Sequence, residues 1–169
     1  MKRGGTGPVA TGSLRAEYAQ TPDGKLVVAL TGSIDENADL QGVFARLDRD
    51  TILYMQNVDR VNSIGVHRWI PLVARFTGQN RLVIEEISYA LVQNANVVAN
   101  LFGSAQVRSC MAPYYCSRCK DNCTVKVTSE EIVAAGTGPP QKSCARCSSV
   151  MEFDELDGYF AFFKTRSRR

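Results

Sequence analysis

Nowhere does the sequence hold the ~18 uninterrupted apolar residues that a membrane-spanning helix requires, so no membrane insertion is expected. The opening run MKRGGTGPVATGS carries two basic residues and no apolar stretch. That is not the pattern of a secretion signal, and residues 1–13 are expected to form a short flexible tail. The compartment expected on this basis is cytoplasmic, where thiols stay reduced. Charge of one sign is also scarce. The 20 Lys and Arg nearly balance the 17 Asp and Glu, leaving +3, which makes no case for a nucleic-acid or membrane surface. Histidine occurs once, at His67. Cysteine is absent from the first 109 residues, then appears at Cys110, Cys116, Cys119, Cys123, Cys144 and Cys147. That break in composition divides the chain in two, near residues 111–113.

What is present is globular in character: 44% hydrophobic and 22% charged residues over a length of 169, enough for one ordinary domain with a small module. Residues 14–20 read as a strand, and Thr21-Pro22-Asp23-Gly24 as a turn. KLVVALTGSI (25–34) is rich in β-branched residues and reads as a central strand. Asp35 can cap a helix over 36–47, where Leu40, Val43, Phe44 and Leu47 share a face. A strand follows at 51–57. A helix over 64–76 presents Trp69, Ile70, Val73 and Phe76 on one side, with Pro71 expected to bend it or delay its regular part. Residues 81–87 form the next strand. Ser88 caps a helix over 89–102 that Gly103 ends, and residues 105–111 return as the last strand. The order β-β-α-β-α-β-α-β predicts an α/β layer with helices packed on the sheet.

Between the strand at 51–57 and the helix that follows lies DRVNSIGVHRW. Asn62 or Ser63 suits a helix cap there, and Gly65 allows close packing. Ser63 is also a candidate phosphorylation or partner-contact residue, since free N–H groups at a helix start favour a phosphate. His67 lies one turn on and invites a Ser–His hydrolase reading. That reading needs an orienting acid, for which Asp59 is the candidate, and an oxyanion hole that no motif marks.

The succession of a strand, TGSIDENADL, a helix, a strand, NVDRVNSIGV and a helix resembles a STAS domain, the module of anti-sigma-factor antagonists and sulfate-transporter tails. The resemblance covers residues 14–111 and implies a STAS-like mixed β-sheet with helices packed on it. It implies a non-enzymatic regulatory or scaffold protein that binds protein partners, such as an anti-sigma-type kinase or a signalling or polarity complex. It places Asn62, Ser63 and Gly65 on the family's Asp-Ser-Ser/Thr-Gly turn, whose serine is phosphorylated in the antagonists. Asn62 stands where that turn has an acid, and Ile64 where it has a small hydroxyl residue.

Residues 112–163 carry two C-x-x-C knuckles, Cys116-Ser117-Arg118-Cys119 and Cys144-Ala145-Arg146-Cys147. Two such knuckles complete a tetrahedral four-cysteine set, the pattern of a small β-rich zinc ribbon with a structural Zn2+. Four thiolates close the shell and leave no place for a catalytic water. Cys123 is a rival ligand, and Cys110 is expected to be buried. Residues 124–132 read as strand-like, and the aromatics of 151–163 as packing for the small module. The body of this part holds five basic and seven acidic residues. Only the tail at 164–169 is basic, which argues against nucleic acid while leaving a nucleic-acid-associated ribbon factor as the alternative.

Overall fold

Along β2 (Leu14–Gln20) Leu14 and Ala16 are buried while Arg15 and Glu17 are exposed, the two-residue period of a strand with one wet face. The same alternation holds over residues 27–30 of the strand that follows it in the sheet. The computed structural model describes residues 9–166. In it β1 (Val9–Thr11), β2, β3 (Leu26–Ile34), β4 (Thr51–Val61), β5 (Leu82–Glu85) and β6 (Gln106–Val107) make a six-stranded sheet in that order. The first two pairings are antiparallel and the remaining three parallel. The chain is therefore α/β with a mixed sheet. Of the tail expected at residues 1–13, residues 9–11 are β1, and residues 1–8 lie outside the described residues.

The parallel strands are joined through α1 (Leu40–Phe44), α2 (Ser63–Thr77) and α3 (Tyr89–Val97). The core lies between these helices and one face of the sheet, with Val28, Leu30, Leu53, Met55 and Ile84 meeting Trp69, Val73, Leu91 and Phe102. The indole N–H of Trp69 donates to Leu101 O at 3.0 Å, and its ring meets Phe44 edge-on at 5.2 Å.

Several elements differ from their sequence pattern for local reasons. The helix expected over 36–47 forms only at Leu40–Phe44, capped by Asp39 and not by Asp35. The Asp35 carboxylate is engaged elsewhere, accepting from the Asn37 amide and the Ser13 hydroxyl, which holds residues 35–39 as a turn. Pro71 neither ends nor delays α2, which runs through it from Ser63. The helix expected over 89–102 stops at Val97, before Gly103, which takes a positive φ in the turn that follows.

Cys110 lies in β7 (Ser109–Cys116), which begins against the first sheet: the Ile87 amide donates to Ser109 O and the Met111 amide to Ile87 O. Further along, β7 joins β8 (Asp121–Thr128), β9 (Lys142–Ser143) and β10 (Val150–Phe153) in a second sheet of order β8-β7-β10-β9. The boundary read at 111/112 thus falls inside one strand. The second half of the stretch read as strand-like, 124–132, is a helix, α4 (Ser129–Ala134). Thr128 accepts from the Glu131 amide and Glu131 accepts from the Thr128 amide, a reciprocal cap. The last helix is α5 (Ala161–Arg166). It takes in the start of the expected basic tail, whose remainder, 167–169, lies outside the described residues. The aromatics before it bind the two sheets together. Tyr159 stacks on Tyr89 of α3 at 5.8 Å and donates from its hydroxyl to Met111 O, and Asn96 pairs with the backbone of Tyr159 and Phe162.

Candidate functional site

The turn between β4 and α2 is locked from beneath. Asn62 is the cap, its Oδ1 accepting from the Gly65 amide at 2.8 Å. Its other side-chain atom, Nδ2, donates to Glu36 at 2.6 Å. The Arg68 guanidinium donates to Glu36 O at 2.8 Å, so the β3–α1 loop is pinned to the start of α2. Gly65 is buried against the end of β3. A Cβ there would overlap the Ile34 carbonyl and come within 2.7 Å of Asp35 N. Above this base Ser63 and His67 are exposed and Ile64 is 53% exposed. No hydrogen bond joins Ser63 to His67 among the described residues, and the Asp59 carboxylate accepts instead from the Ser33 hydroxyl at 3.3 Å.

Charge around the turn is mixed, with Asp35, Glu36 and Asp59 beside Arg60 and Arg68. The hydrogen bond from Asn62 holds the Glu36 carboxyl below the usual glutamate range, and the one from Ser13 does the same for Asp35. Asn62 thus supplies Glu36 with a hydrogen-bond donor that an acid at this position would lack. Replacing Asn62 with Asp removes the donor and adds a like charge, so Glu36 is expected to titrate above the ordinary glutamate value instead of below it. An NMR titration of the Glu36 carboxyl in the Asn62→Asp variant checks this. An unchanged, still depressed value would contradict it.

A second feature was not visible in the sequence. β4 was expected to end at residue 57 but runs to Val61, past the end of β5. The space beyond β5 is an open groove of about 430 Å3 between residues 56–59, residues 88–90, Met111 and Thr124. Neither Ser63 nor His67 lines it.

In the second sheet the two knuckles meet. Cys116 ends β7 and Cys119 sits in the turn before β8, while Cys144 and Cys147 occupy the turn between β9 and β10. Their four Sγ atoms lie within 4.8 Å of one another, with Cys116–Cys147 at 3.5 Å and Cys119–Cys144 at 3.9 Å. A tetrahedron of ~2.3 Å metal–sulfur bonds has edges of ~3.8 Å, so the set fits one metal ion. Cys123 lies outside this cluster, and Cys110 is fully buried, its thiol pushed up to about 12 by burial.

No family model, curated protein or solved structure matches this chain. The geometry therefore has to carry the reading. The two knuckles share one backbone form, for the residue after each second cysteine is left-handed: Lys120 at φ 53° and Ser148 at φ 58°. The amide of Cys119 points at Cys116 Sγ at 3.4 Å. Hydrogen bonds from the Ser149 hydroxyl and amide pull the Cys147 thiol down to about 6, while bonding to Cys147 and loss of water push Cys119 up to about 12. Sulfurs this close share protons until a cation replaces them. The Arg146 guanidinium, beside Asp121 and the Cys119 and Cys144 sulfurs, is held more firmly protonated and offsets thiolate charge. Left-handed φ is costly for a residue with a Cβ, so Ser148→Gly is expected to stabilise the protein by ~1 kcal/mol. Urea unfolding checks the sign, and a loss of stability would show that the Ser148 side chain makes a contact of its own.

Proposed function

We propose that this protein is a non-enzymatic regulatory or scaffold protein that binds protein partners through the turn at Asn62, Ser63 and Gly65. In this reading residues 14–111 are a STAS-like domain, and the second sheet is a zinc ribbon whose Cys116, Cys119, Cys144 and Cys147 hold a structural Zn2+. The observation that carries it is the contrast within one turn. Asn62 and Gly65 are fixed in the fold, while Ser63 and the apolar Ile64 beside it stand in solvent. A rigid base under an exposed mixed surface suits recognition, because little order is lost on binding. Ser63 occupies the first position of a 15-residue helix, where a phosphate would add about −1.5 to −2 charge at the contact. The partners that the resemblance suggests are an anti-sigma-type kinase or a signalling or polarity complex, in the cytoplasm.

Capture from native cells tests this, with wild type beside Ser63→Asp and beside Leu156→Asp, a substitution at an exposed site outside the turn. A specific protein retained by wild type and Leu156→Asp, and lost by Ser63→Asp, is the expected result. Equal capture by all three would remove the turn from the argument. Mass spectrometry of Ser63 in the same material shows whether the phosphate is used.

A further inference from the structure

Among the described residues the six-stranded sheet carries its three crossover helices on one face only. From β3 to β6 the strands are laid down in sequence order with no reversal, and crossovers between parallel strands are right-handed almost without exception. Such a run puts α1, α2 and α3 on the same side. Burial agrees: residues 28, 30, 53, 55, 82 and 84 are buried, whereas their neighbours on the other face are only half-buried. Those neighbours are apolar at the centre. Val27, Ile52 and Val83 form one cross-strand row, and Ala29 beside Tyr54 forms the next. None of the five belongs to the buried core. Parallel sheets normally have both faces covered.

We propose that this bare face is the interface of a homodimer, two copies stacking sheet on sheet. Charge along the strands selects a second copy of this chain. At the start of the strands Arg81 forms no ion pair among the described residues; with Lys25, Asp50 and the side chain of Arg108, which follows the end of β6, it rims a shallow depression floored by Ile52 and Val83. At the far end one ammonium, Lys126, serves both Glu85 at 3.3 Å and Glu86 at 3.0 Å, leaving an excess of negative charge. A two-fold axis lying in the interface and crossing the strands turns the sheet end for end. It sets Arg81 of one copy near Glu85 of the other, with the apolar rows packed between. Six strands at ~4.8 Å spacing and some six residues at ~3.3 Å give a flat footprint of roughly 500 Å2. With its rim side chains the face approaches the ~800 Å2 per partner of a stable interface, and aligned sheet packing is a common way of covering such a face.

Sedimentation of the full-length protein tests the proposal. Wild type is expected at twice the 18.6 kDa chain mass. Ile52→Arg sets a charge in the centre of the stack and is expected to weaken association by at least ~100-fold. Arg81→Glu, at the rim, is expected to weaken it by at least ~10-fold. Ser63→Asp, on a separate surface, should leave the mass unchanged, which keeps this test distinct from that of partner binding. A wild-type protein that stays monomeric at ~100 μM overturns the proposal on affinity grounds. So does a dimer whose affinity neither substitution alters. If Ile52→Arg fails to fold, Arg81→Glu alone decides: weaker association supports the stacked dimer and unchanged association rejects it.

Discussion

Cys144→Ser is expected to empty the four-cysteine cluster and to unfold the second sheet. Cys144 is buried, and its Sγ lies 3.9 Å from Cys119 Sγ in the cluster. In the zinc reading the metal ties the turns of two hairpins, β7–β8 and β9–β10, whose direct pairing is a short stretch between β7 and β10. A structural zinc site contributes an apparent ~10–16 kcal/mol of binding energy that is also folding energy. Loss of one ligand in four is expected to cost at least ~5 kcal/mol of that, as much as the whole stability of many domains. The damage should spread. β7 carries both Cys116 and the residues hydrogen-bonded to Ile87, and Tyr159 and Phe162 pack on the first sheet's helix and loops. Metal analysis is expected to find one zinc per chain in wild type and in Cys123→Ser, and none in Cys144→Ser. The variant's near-ultraviolet circular dichroism should lose its aromatic signal. An intact, metal-loaded Cys144→Ser protein would sink the zinc reading, and an iron-containing, coloured wild type would correct its metal.

How much of this could be read beforehand differs from element to element, for physical reasons. The strand at 14–20 and the Ser88 cap were legible because each depends on neighbours in sequence, an alternating pattern in one case and a cap to its third amide in the other. The knuckles were legible because metal ligation imposes a spacing. The shortening of α1 was not, because it follows from Ser13, twenty-two residues away, engaging Asp35. The length of β4 was hidden for a similar reason. QNVDRV has little strand character, and it stays extended because β3 pairs with it on one side as far as Val61. The reciprocal cap of α4 was written plainly as Thr128-Ser-Glu-Glu131, yet the β-branched run before it drew the strand reading across the boundary. The bare sheet face could not be read at all. Half-buried Val27, Ile52 and Val83 look like core in any strand, and only the strand order shows that the helices of the described residues that join the parallel strands lie on the other side.

Gly65→Ala is expected to destabilise the protein by ~2–3 kcal/mol, although alanine normally favours a helix by ~1 kcal/mol over glycine. The reversal of sign comes from a single approach. The first turn of α2 lies directly on the end of β3, and a methyl group at 65 would occupy space held by the Ile34 carbonyl and the Asp35 amide. Both are backbone atoms, one ending a paired strand and the other starting the turn after it, so neither can swing aside as a side chain would. The helix must lift, and lifting it breaks what the turn depends on: the Asn62 cap, its bond to Glu36 and the Asn62 amide's bond to Ile34 O at 3.2 Å. Gly78, at the other end of the same helix, supplies the contrast. It has a helical φ of −72°, and the nearest atom to its added Cβ is 3.4 Å away. Gly78→Ala is therefore expected to be neutral or to stabilise by up to ~1 kcal/mol. Denaturant unfolding of the two variants side by side tests the geometry of the turn without knowledge of any partner. If Gly65→Ala proves as stable as Gly78→Ala, the helix start does not rest on β3, and the rigid base under Ser63 is lost from the argument. If it unfolds early, the next comparison is capture by Gly65→Ala below its melting point. Loss of a partner there, with Ser63 and Ile64 untouched, would show that recognition reads the position of the turn as well as its side chains.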